Sequence, residues 1–183
     1  EIWMLGTSNY GAQLAAYLGI PYCFAHFITN GSGMKSAIEI YKSEFRPSKK
    51  YKKPIVNVCL WSLTAKTNKE AKYLFSSRAS WKIGRDFGHL GPITDPDNAL
   101  TIINNNNWED QYNSMYESSL VGEINLTKDK IDKLVKDNNI DEIAILTWCH
   151  DETARIKSYE LFANAYNLNR KENSPAKLSK SLI

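Results

Sequence analysis

The chain has 183 residues, which is enough for one domain with a sizeable hydrophobic core. Its composition is ordinary for a globular protein, and no apolar stretch approaches the about 18 residues that would predict a membrane span. The net charge of +3 is small and spread along the chain. The sequence therefore predicts neither a nucleic-acid partner nor a membrane partner.

The three cysteines lie far apart, and each falls in or beside an apolar run (Cys23, Cys59 and Cys149). This pattern predicts buried free thiols in a reducing compartment, and hence a cytoplasmic protein, rather than a disulfide framework or a zinc site. The three histidines are scattered and share no ligand spacing with a carboxylate. We therefore predict no metal site.

Apolar runs and helical periodicity predict an alternation of strands and helices. The predicted strands are residues 2–5, 22–28, 55–63 and 142–147. The predicted helices are residues 12–18, 33–45, 69–83, 97–103, 109–117, one capped by Thr127, and one that Asp151 caps and that runs to about residue 166. The polar residues 167–183 predict a loose C-terminal tail.

This alternation predicts an α/β fold with parallel strands. Four strands are too few for a closed barrel, which needs about eight, so a small open sheet, half a barrel and a fragment of a full barrel all remain open. The abrupt apolar start at Ile2–Leu5 is expected of an interior strand in a larger sheet. Residues 84–107 are rich in Gly, Pro and Asn, which predicts an irregular insertion of the kind that often forms a lid.

The most specific pattern is the turn after the first strand. Residues 6–11 read Gly-Thr-Ser-Asn-Tyr-Gly, and a helical stretch follows. Backbone N–H groups and small hydroxyls at the start of a helix are suited to binding a phosphate. Gly11 permits close approach of a ligand to the backbone. The alternative is that Ser8 or Asn9 only caps the helix.

The opening resembles the bacterial luciferase-like, flavin-dependent monooxygenases. Residues 5–27 read LGTSNYGAQLAAYLGIPYCFAHF, close to that family's pattern LGSS-x-x-(S/G)-AQLAA-x-LGLP-(F/Y)-x-FAHHF at strand five, helix five and strand six. Similar segments follow at residues 37–48 (A-x-x-x-Y-x-x-x-FRPS), 120–122 (the VG turn), 141–145 (the DE-hydrophobic strand) and 151–163 (the SYELLA helix). The resemblance is greatest to the alkanal-monooxygenase-like branch, and it extends to about residue 166.

The resemblance implies a TIM-type (β/α)8 barrel of which this chain supplies the C-terminal half, strands five to eight. Residues 1–166 would then be a half-barrel flavin-binding domain. The family is a group of oxidoreductases that use reduced flavin mononucleotide (FMN) and O2 to oxygenate a small organic substrate, and a flavin reductase is the expected partner of the full enzyme. The resemblance places the FMN phosphate at the turn, on Thr7, Ser8, Asn9, Tyr10 and Gly11.

The first four strands of the family's barrel supply much of the contact with flavin and substrate. A chain without them is not expected to be a competent enzyme by itself. Two alternatives stay open. One is a non-catalytic flavin-binding or phosphate-binding module. The other is a truncated structural remnant, which would self-associate or join the missing half through its exposed sheet edges.

Two further places carry candidate site residues. His26 ends the second predicted strand and matches the family's Ala-His element. This favours a place facing the flavin pocket and the hypothesis of an acid–base role, against packing in the core. Trp148, Cys149 and His150 follow the fourth strand, and they either line the pocket wall or pack locally around the Asp151 cap.

A third set of polar residues lies after the third predicted strand. Arg78, Arg85 and His89 fall in the helix and loop there. A basic group at this place can reach a phosphate, but the sequence favours a solvated face for all three.

Overall fold

The computed structural model describes residues 1–168. Within this part of the chain the strands are β1 (Met4–Gly6), β2 (Tyr22–Phe24), β3 (Val56–Trp61), β4 (Leu63–Ala65), β5 (Val121–Glu123) and β6 (Glu142–Leu146). The helices are α1 (Asn9–Leu18), α2 (His26–Thr29), α3 (Met34–Glu44), α4 (Asn68–Asp86), α5 (Pro96–Asn105), α6 (Glu109–Ser118), α7 (Ile124–Asn138) and α8 (Glu152–Ala165).

The main sheet contains four parallel strands in the order β1, β2, β3, β6. A second, two-stranded parallel sheet joins β4 to β5. Parallel strands with intervening helices confirm the predicted α/β class. Because the strand order follows the chain order and the strands are parallel, their carboxyl ends meet at one edge of the sheet.

The sequence placed the end of the second strand too late. The strand ends at Phe24, and residues 26–29 form the short helix α2 instead. The chain turns at Ala25, whose N–H donates to the carbonyl of Gly6 at 2.9 Å. A short apolar run does not distinguish a strand from a helix by periodicity, and this ambiguity explains the error.

The predicted third strand ends earlier than expected, and the helix predicted to be capped by Thr127 begins earlier than expected. The third strand breaks at Ser62, whose hydroxyl donates to the carbonyl of Leu120 at 2.6 Å, so that β4 leaves the main sheet and pairs with β5. Thr127 is not a cap: it is buried inside α7, and its hydroxyl donates to the carbonyl of Glu123 at 2.9 Å.

The stretch at residues 84–107 is more regular than predicted. Helix α4 continues to Asp86, and α5 occupies Pro96–Asn105, with the Asp95 side chain accepting from the N–H of Asn98. Within this stretch only residues 87–95 and 106–107 lack a helix or strand. The predicted loose tail lies outside the described residues from 169 onward.

The apolar residues form two cores. The first lies between the main sheet and the helices that flank it, and its largest fully buried members include Tyr22, Phe24, Tyr41 and Val58. The second lies among β4, β5, α4, α5 and α6, and includes Trp61, Leu63, Phe75 and Val121. Because Trp61 is the last residue of β3, this second core adjoins the carboxyl end of the main sheet.

Candidate functional site at the carboxyl ends of the strands

The turn after β1 has the geometry of a helix start. Ser8 is the N-cap of α1, and its Oγ accepts from the N–H of Gly11 at 3.4 Å. The capping alternative is therefore confirmed as local structure. The N–H groups of Asn9 and Tyr10 have no intrahelical partner, as at any helix start. Both residues are exposed, Tyr10 by 74% of its surface.

Internal packing does not explain why Gly11 is a glycine. A Cβ built on Gly11 would lie 3.8 Å from the Cα of Gly6 and 4.0 Å from a ring carbon of Tyr22. Those are ordinary van der Waals distances, so the protein itself has room for a larger residue there. A glycine here is explained by the close approach of a ligand to the backbone, which the absence of a side chain permits.

A second helix begins beside the same turn. Gly33 is the N-cap of α3 and has no side chain to cap it, and its Cβ position lies 4.0 Å from the carbonyl oxygen of Thr7. One turn further, Ser36 Oγ donates to Asn9 Oδ1 at 3.3 Å. Two helix N-termini, each carrying partial positive charge, therefore meet at the Thr7–Asn9 turn.

Sequence reasoning missed Gly33 and Ser36. Their approach to the turn depends on how α3 packs on α1 across a long stretch of chain. The local signal was the run Asn30-Gly31-Ser32-Gly33, where Asn30, Gly31 and Gly33 adopt positive φ angles of 52°, 84° and 79°. Such a run ends one helix and starts another in a tight space.

His26 lies at the carboxyl end of β2, as predicted, but as the first residue of α2 rather than the last of a strand. The imidazole is half-buried, and the Cβ position of Gly31 lies 2.7 Å from its Nε2. Burial, with the nearby charges of Lys82 and Arg78, lowers the pKa of His26 to about 4. The ring is therefore neutral at ordinary pH and can both donate and accept a hydrogen bond.

The prediction of a solvated face is wrong for Arg78 and right for its neighbours. Arg78 is only 4% exposed, whereas Arg85 and His89 are exposed. The guanidinium carbon of Arg78 lies 3.8 Å from the ring centroid of Trp61 and 5.8 Å from that of Trp148. Arg78 thus lies over the carboxyl ends of β3 and β6.

Of the predicted pocket residues Trp148, Cys149 and His150, only Trp148 packs with the aromatic rings near Arg78. Its ring lies 6.3 Å from that of Phe27 and 6.0 Å from that of Trp81, both edge to face. Cys149 is buried in the second core, and its thiol donates to the carbonyl of Asp151 at 3.1 Å. His150 is exposed, and Asp151 caps α8 as predicted.

The residues at the carboxyl ends form two groups. The turn at residues 7–11 with the start of α3 makes a polar, exposed surface suited to an anion. His26, Trp61, Arg78 and Trp148 make a more buried, cationic and aromatic surface. Within residues 1–168 no set of three or more His, Cys, Asp or Glu side chains is placed to hold a metal ion. No helix in the same range is long and apolar enough to cross a membrane.

Relatives among characterised and uncharacterised proteins match nearly the whole chain. It is 30% identical over 161 residues to the "Luciferase-like monooxygenase" of Escherichia coli strain K12, covering 87% of this chain and 48% of that protein. It is 28% identical over 166 residues to the uncharacterized protein YvbT of Bacillus subtilis strain 168, covering 90% and 49%. The chain thus spans about half the length of the curated relatives it matches. No protein-family model matches it.

Solved structures show the same relationship. The crystal structure of apo-MsnO8 superposes with a TM-score of 0.81 at 25% identity, covering 92% of this chain and 51% of that one. The oxygenating constituent of 3,6-diketocamphane monooxygenase from Pseudomonas putida, solved in complex with FMN, shares the fold with a TM-score of 0.55 at 19% identity, covering 88% and 46%. By sequence and fold the chain belongs to the luciferase-like monooxygenase family.

Proposed function

We propose that this chain is the half-barrel part of an FMN-dependent monooxygenase that oxygenates a small organic substrate with reduced flavin and O2. Its role is to hold the FMN phosphate at the turn after β1 and to form one wall of the flavin and substrate cavity. The observation that carries the proposal is the meeting of two helix N-termini, those of α1 and α3, at the Thr7–Asn9 turn.

The residues of this turn fit a phosphate. The hydroxyls of Thr7 and Ser8 and the N–H groups of Asn9 and Tyr10 would donate to its oxygens. The absence of a side chain at Gly11 would let the phosphate approach the backbone closely. Bound FMN would supply the oxygen chemistry. The chain's own part is to bind the cofactor, orient it and exclude water from one side.

The sheet supports the half-barrel part of the proposal. One register across β1, β2, β3 and β6 contains Leu5, Cys23, Asn57 and Glu142. It lies on the face opposite the buried side chains of Tyr22 and Val56. Leu5 and Glu142, at the two edges, are exposed. In a closed barrel this face points inward. We propose that further strands of the family barrel, or a second copy of this chain, cover it.

A partner protein and a cellular location follow from the same proposal. A flavin reductase would deliver reduced FMN to the complete enzyme. A reducing, cytoplasmic location suits the three free thiols of Cys23, Cys59 and Cys149.

The proposal is tested with Ser8→Asp, because aspartate keeps the N-cap of α1 but sets a negative charge against the phosphate. We expect the full chain to bind FMN. Ser8→Asp should weaken the affinity for FMN at least about tenfold and leave the affinity for riboflavin, which has no phosphate, unchanged. The readout is the quenching of flavin fluorescence on titration.

The matched control is Ser43→Asp, an exposed position on α3 outside the turn. It should leave both flavins unaffected. Equal losses for FMN and riboflavin in Ser8→Asp would contradict the phosphate assignment. FMN binding without oxygenation of any substrate, even when the rest of the barrel is supplied, would favour the non-catalytic binding module.

A further inference from the structure

Helix α4 carries two buried cations without an anionic partner. Arg78 and Lys82 lie one helical turn apart, and only 4% and 7% of their surfaces are exposed. None of the ion pairs formed by residues 1–168 includes either side chain. Buried charges in proteins are almost always paired, since an uncompensated one is costly. Two unpaired ones side by side call for an explanation from function.

Their neighbours compensate these charges only in part. The Arg78 guanidinium stacks on the Trp61 ring, and its Nη2 donates to the carbonyl of Phe27 at 3.5 Å, the long limit of a hydrogen bond. The Lys82 Nζ donates to Asn30 Oδ1 at 2.7 Å. These partners are neutral. The carboxylate of Asp86 acts on Lys82 from beyond ion-pair distance and is itself paired with Arg85, so it cancels the positive charge of the pair only in part.

Two N–H donors in the same place are unused. Arg78 Nε and Trp61 Nε1 are both buried, and neither has a hydrogen-bond acceptor among the described residues. Buried donors in folded proteins nearly all find an acceptor, and an exception usually indicates a ligand, an ion or a water at the site. Ser77 Oγ on α4 is the third such atom among the described residues, and of the three it is Arg78 and Trp61 whose side chains stack on each other.

Trp61 and Arg78 line one small cavity, and the rest of its wall is formed by His26, Phe27, Asn30, Met115, Ser118, Ser119 and Leu120. Lys82 does not line this cavity, but it is hydrogen-bonded to Asn30 in its wall. The volume of the cavity is about 20 Å³, which holds about one water molecule. The cavity therefore suits the oxygen atoms at the end of a ligand, not a whole ligand. His26 adds no charge, because its lowered pKa keeps the ring neutral.

We propose that Arg78, supported by Lys82, His26 and the indole N–H of Trp61, binds a carboxylate carried by a small organic molecule. The identification of this molecule as the substrate of the monooxygenase rests on the proposed function. The carboxylate site itself is independent of the proposed function. A carboxylate supplies the missing negative charge and accepts from both unused donors. Phe27 and Trp148 beside it would pack against the apolar remainder of the ligand.

The test compares phenylacetate with phenylacetamide, which has the same shape and no charge. Both are titrated against the full chain at low salt, with tryptophan fluorescence as readout, because three of the five tryptophans (Trp61, Trp81 and Trp148) lie in this group. Charge-assisted hydrogen bonds predict that phenylacetate binds at least about tenfold more tightly than the amide. The indole N–H signal of Trp61, assigned with Trp61→Phe, should shift downfield with phenylacetate.

Two variants are needed because Arg78 is buried and its loss affects packing. Arg78→Met and Lys82→Met should each reduce phenylacetate affinity at least about tenfold and bring it close to that of the amide. Lys133→Met, an exposed cation on α7, should leave it unchanged. A dispersed indole spectrum shows that each variant is folded.

Equal affinity for acid and amide, binding of neither, or no effect of Lys82→Met in the folded variant would overturn the carboxylate site. A parallel titration with FMN distinguishes the carboxylate-site proposal from the FMN proposal. Phenylacetate binding without FMN binding would leave this site standing and contradict the FMN proposal. Competition by FMN, with the same loss of FMN affinity in Arg78→Met, would mean that the pair serves the flavin, and would overturn this inference.

Discussion

At the residue scale, His26 shows how neighbours determine the state of a titratable group. Its sequence context, Phe-Ala-His-Phe, predicts only that it lies near the end of a strand. Burial and the two cations of α4 then lower its pKa from 6.5 to about 4. In the folded chain the ring loses its proton more readily than in the unfolded chain, which makes folding depend on pH.

The sign of that dependence is definite. Between pH 6.5 and about 4 the unfolded chain binds a proton at this ring and the folded chain does not, so acid lowers the free energy of unfolding. We expect His26→Gln to remove about 1–3 kcal/mol of this acid dependence, the lower values allowing for solvent screening. Urea unfolding across this pH range measures it.

His150→Gln is the matched control, because this histidine is exposed. It should retain the wild-type dependence of the free energy of unfolding on pH. Carboxylates that titrate in the same range contribute equally to both variants, so their effect is removed by the comparison. A His26→Gln profile parallel to that of the wild type would show that burial does not destabilise the protonated form of the His26 ring.

At the element scale, Gly19 ends α1 and lets the chain after α3 pack against it. It adopts a left-handed φ of 61°, and its N–H donates to the carbonyls of Ala15 and Ala16. A Cβ at this position would lie 2.3 Å from the carbonyl oxygen of Arg46 and 2.9 Å from the Cβ of Ser48. The Leu-Gly-Ile-Pro and Phe-Arg-Pro-Ser segments that carry the family resemblance thus touch each other.

Gly19→Ala should therefore destabilise the fold by about 2 kcal/mol or more, from backbone strain plus a clash with backbone that cannot move away. Gly88→Ala is the control, since Gly88 has a similar φ of 83° but nothing within 4 Å of its Cβ position. It should cost only the strain, about 1 kcal/mol. Chemical denaturation of both variants measures the difference, and equal losses would contradict the close packing of these two segments.

At the scale of the whole molecule, we expect the exposed face of the main sheet to determine whether the chain associates in solution. Leu5 is 57% exposed on that face, next to the unpaired edge of β1. Exposed strand edges and apolar faces favour association. We expect the chain by itself to self-associate.

Leu5→Arg should shift this association toward the monomer, because a charge on the covered face is costly to bury. Leu90→Arg is the control, because Leu90 is 82% exposed in the segment at residues 87–95, which belongs to neither sheet. Sedimentation velocity over a range of concentrations distinguishes them. A wild-type chain that remains a monomer would contradict the open-face proposal.

Local sequence pattern was sufficient for much of this structure. Periodicity located each main strand and each long helix. Residue type predicted the Asp151 cap and left Ser8 and Asn9 as alternatives for the cap of α1, which is Ser8. These features depend on contacts within a few residues. The same holds for the strand, turn and helix at residues 4–18, on which the family resemblance depends most.

Tertiary structure alone decided the rest. The approach of Ser36 to Asn9 spans 27 residues, and Phe27 and Arg78 are 51 residues apart, so neither contact has a local signal. Arg78 reads as a solvated residue of α4 because its side chain is charged, and it is buried because Trp61, Phe27 and Trp148 pack over it from other segments of the chain. Short-range periodicity determines which segments are helix or strand, whereas the surroundings of a charged side chain are determined by the segments that pack over it.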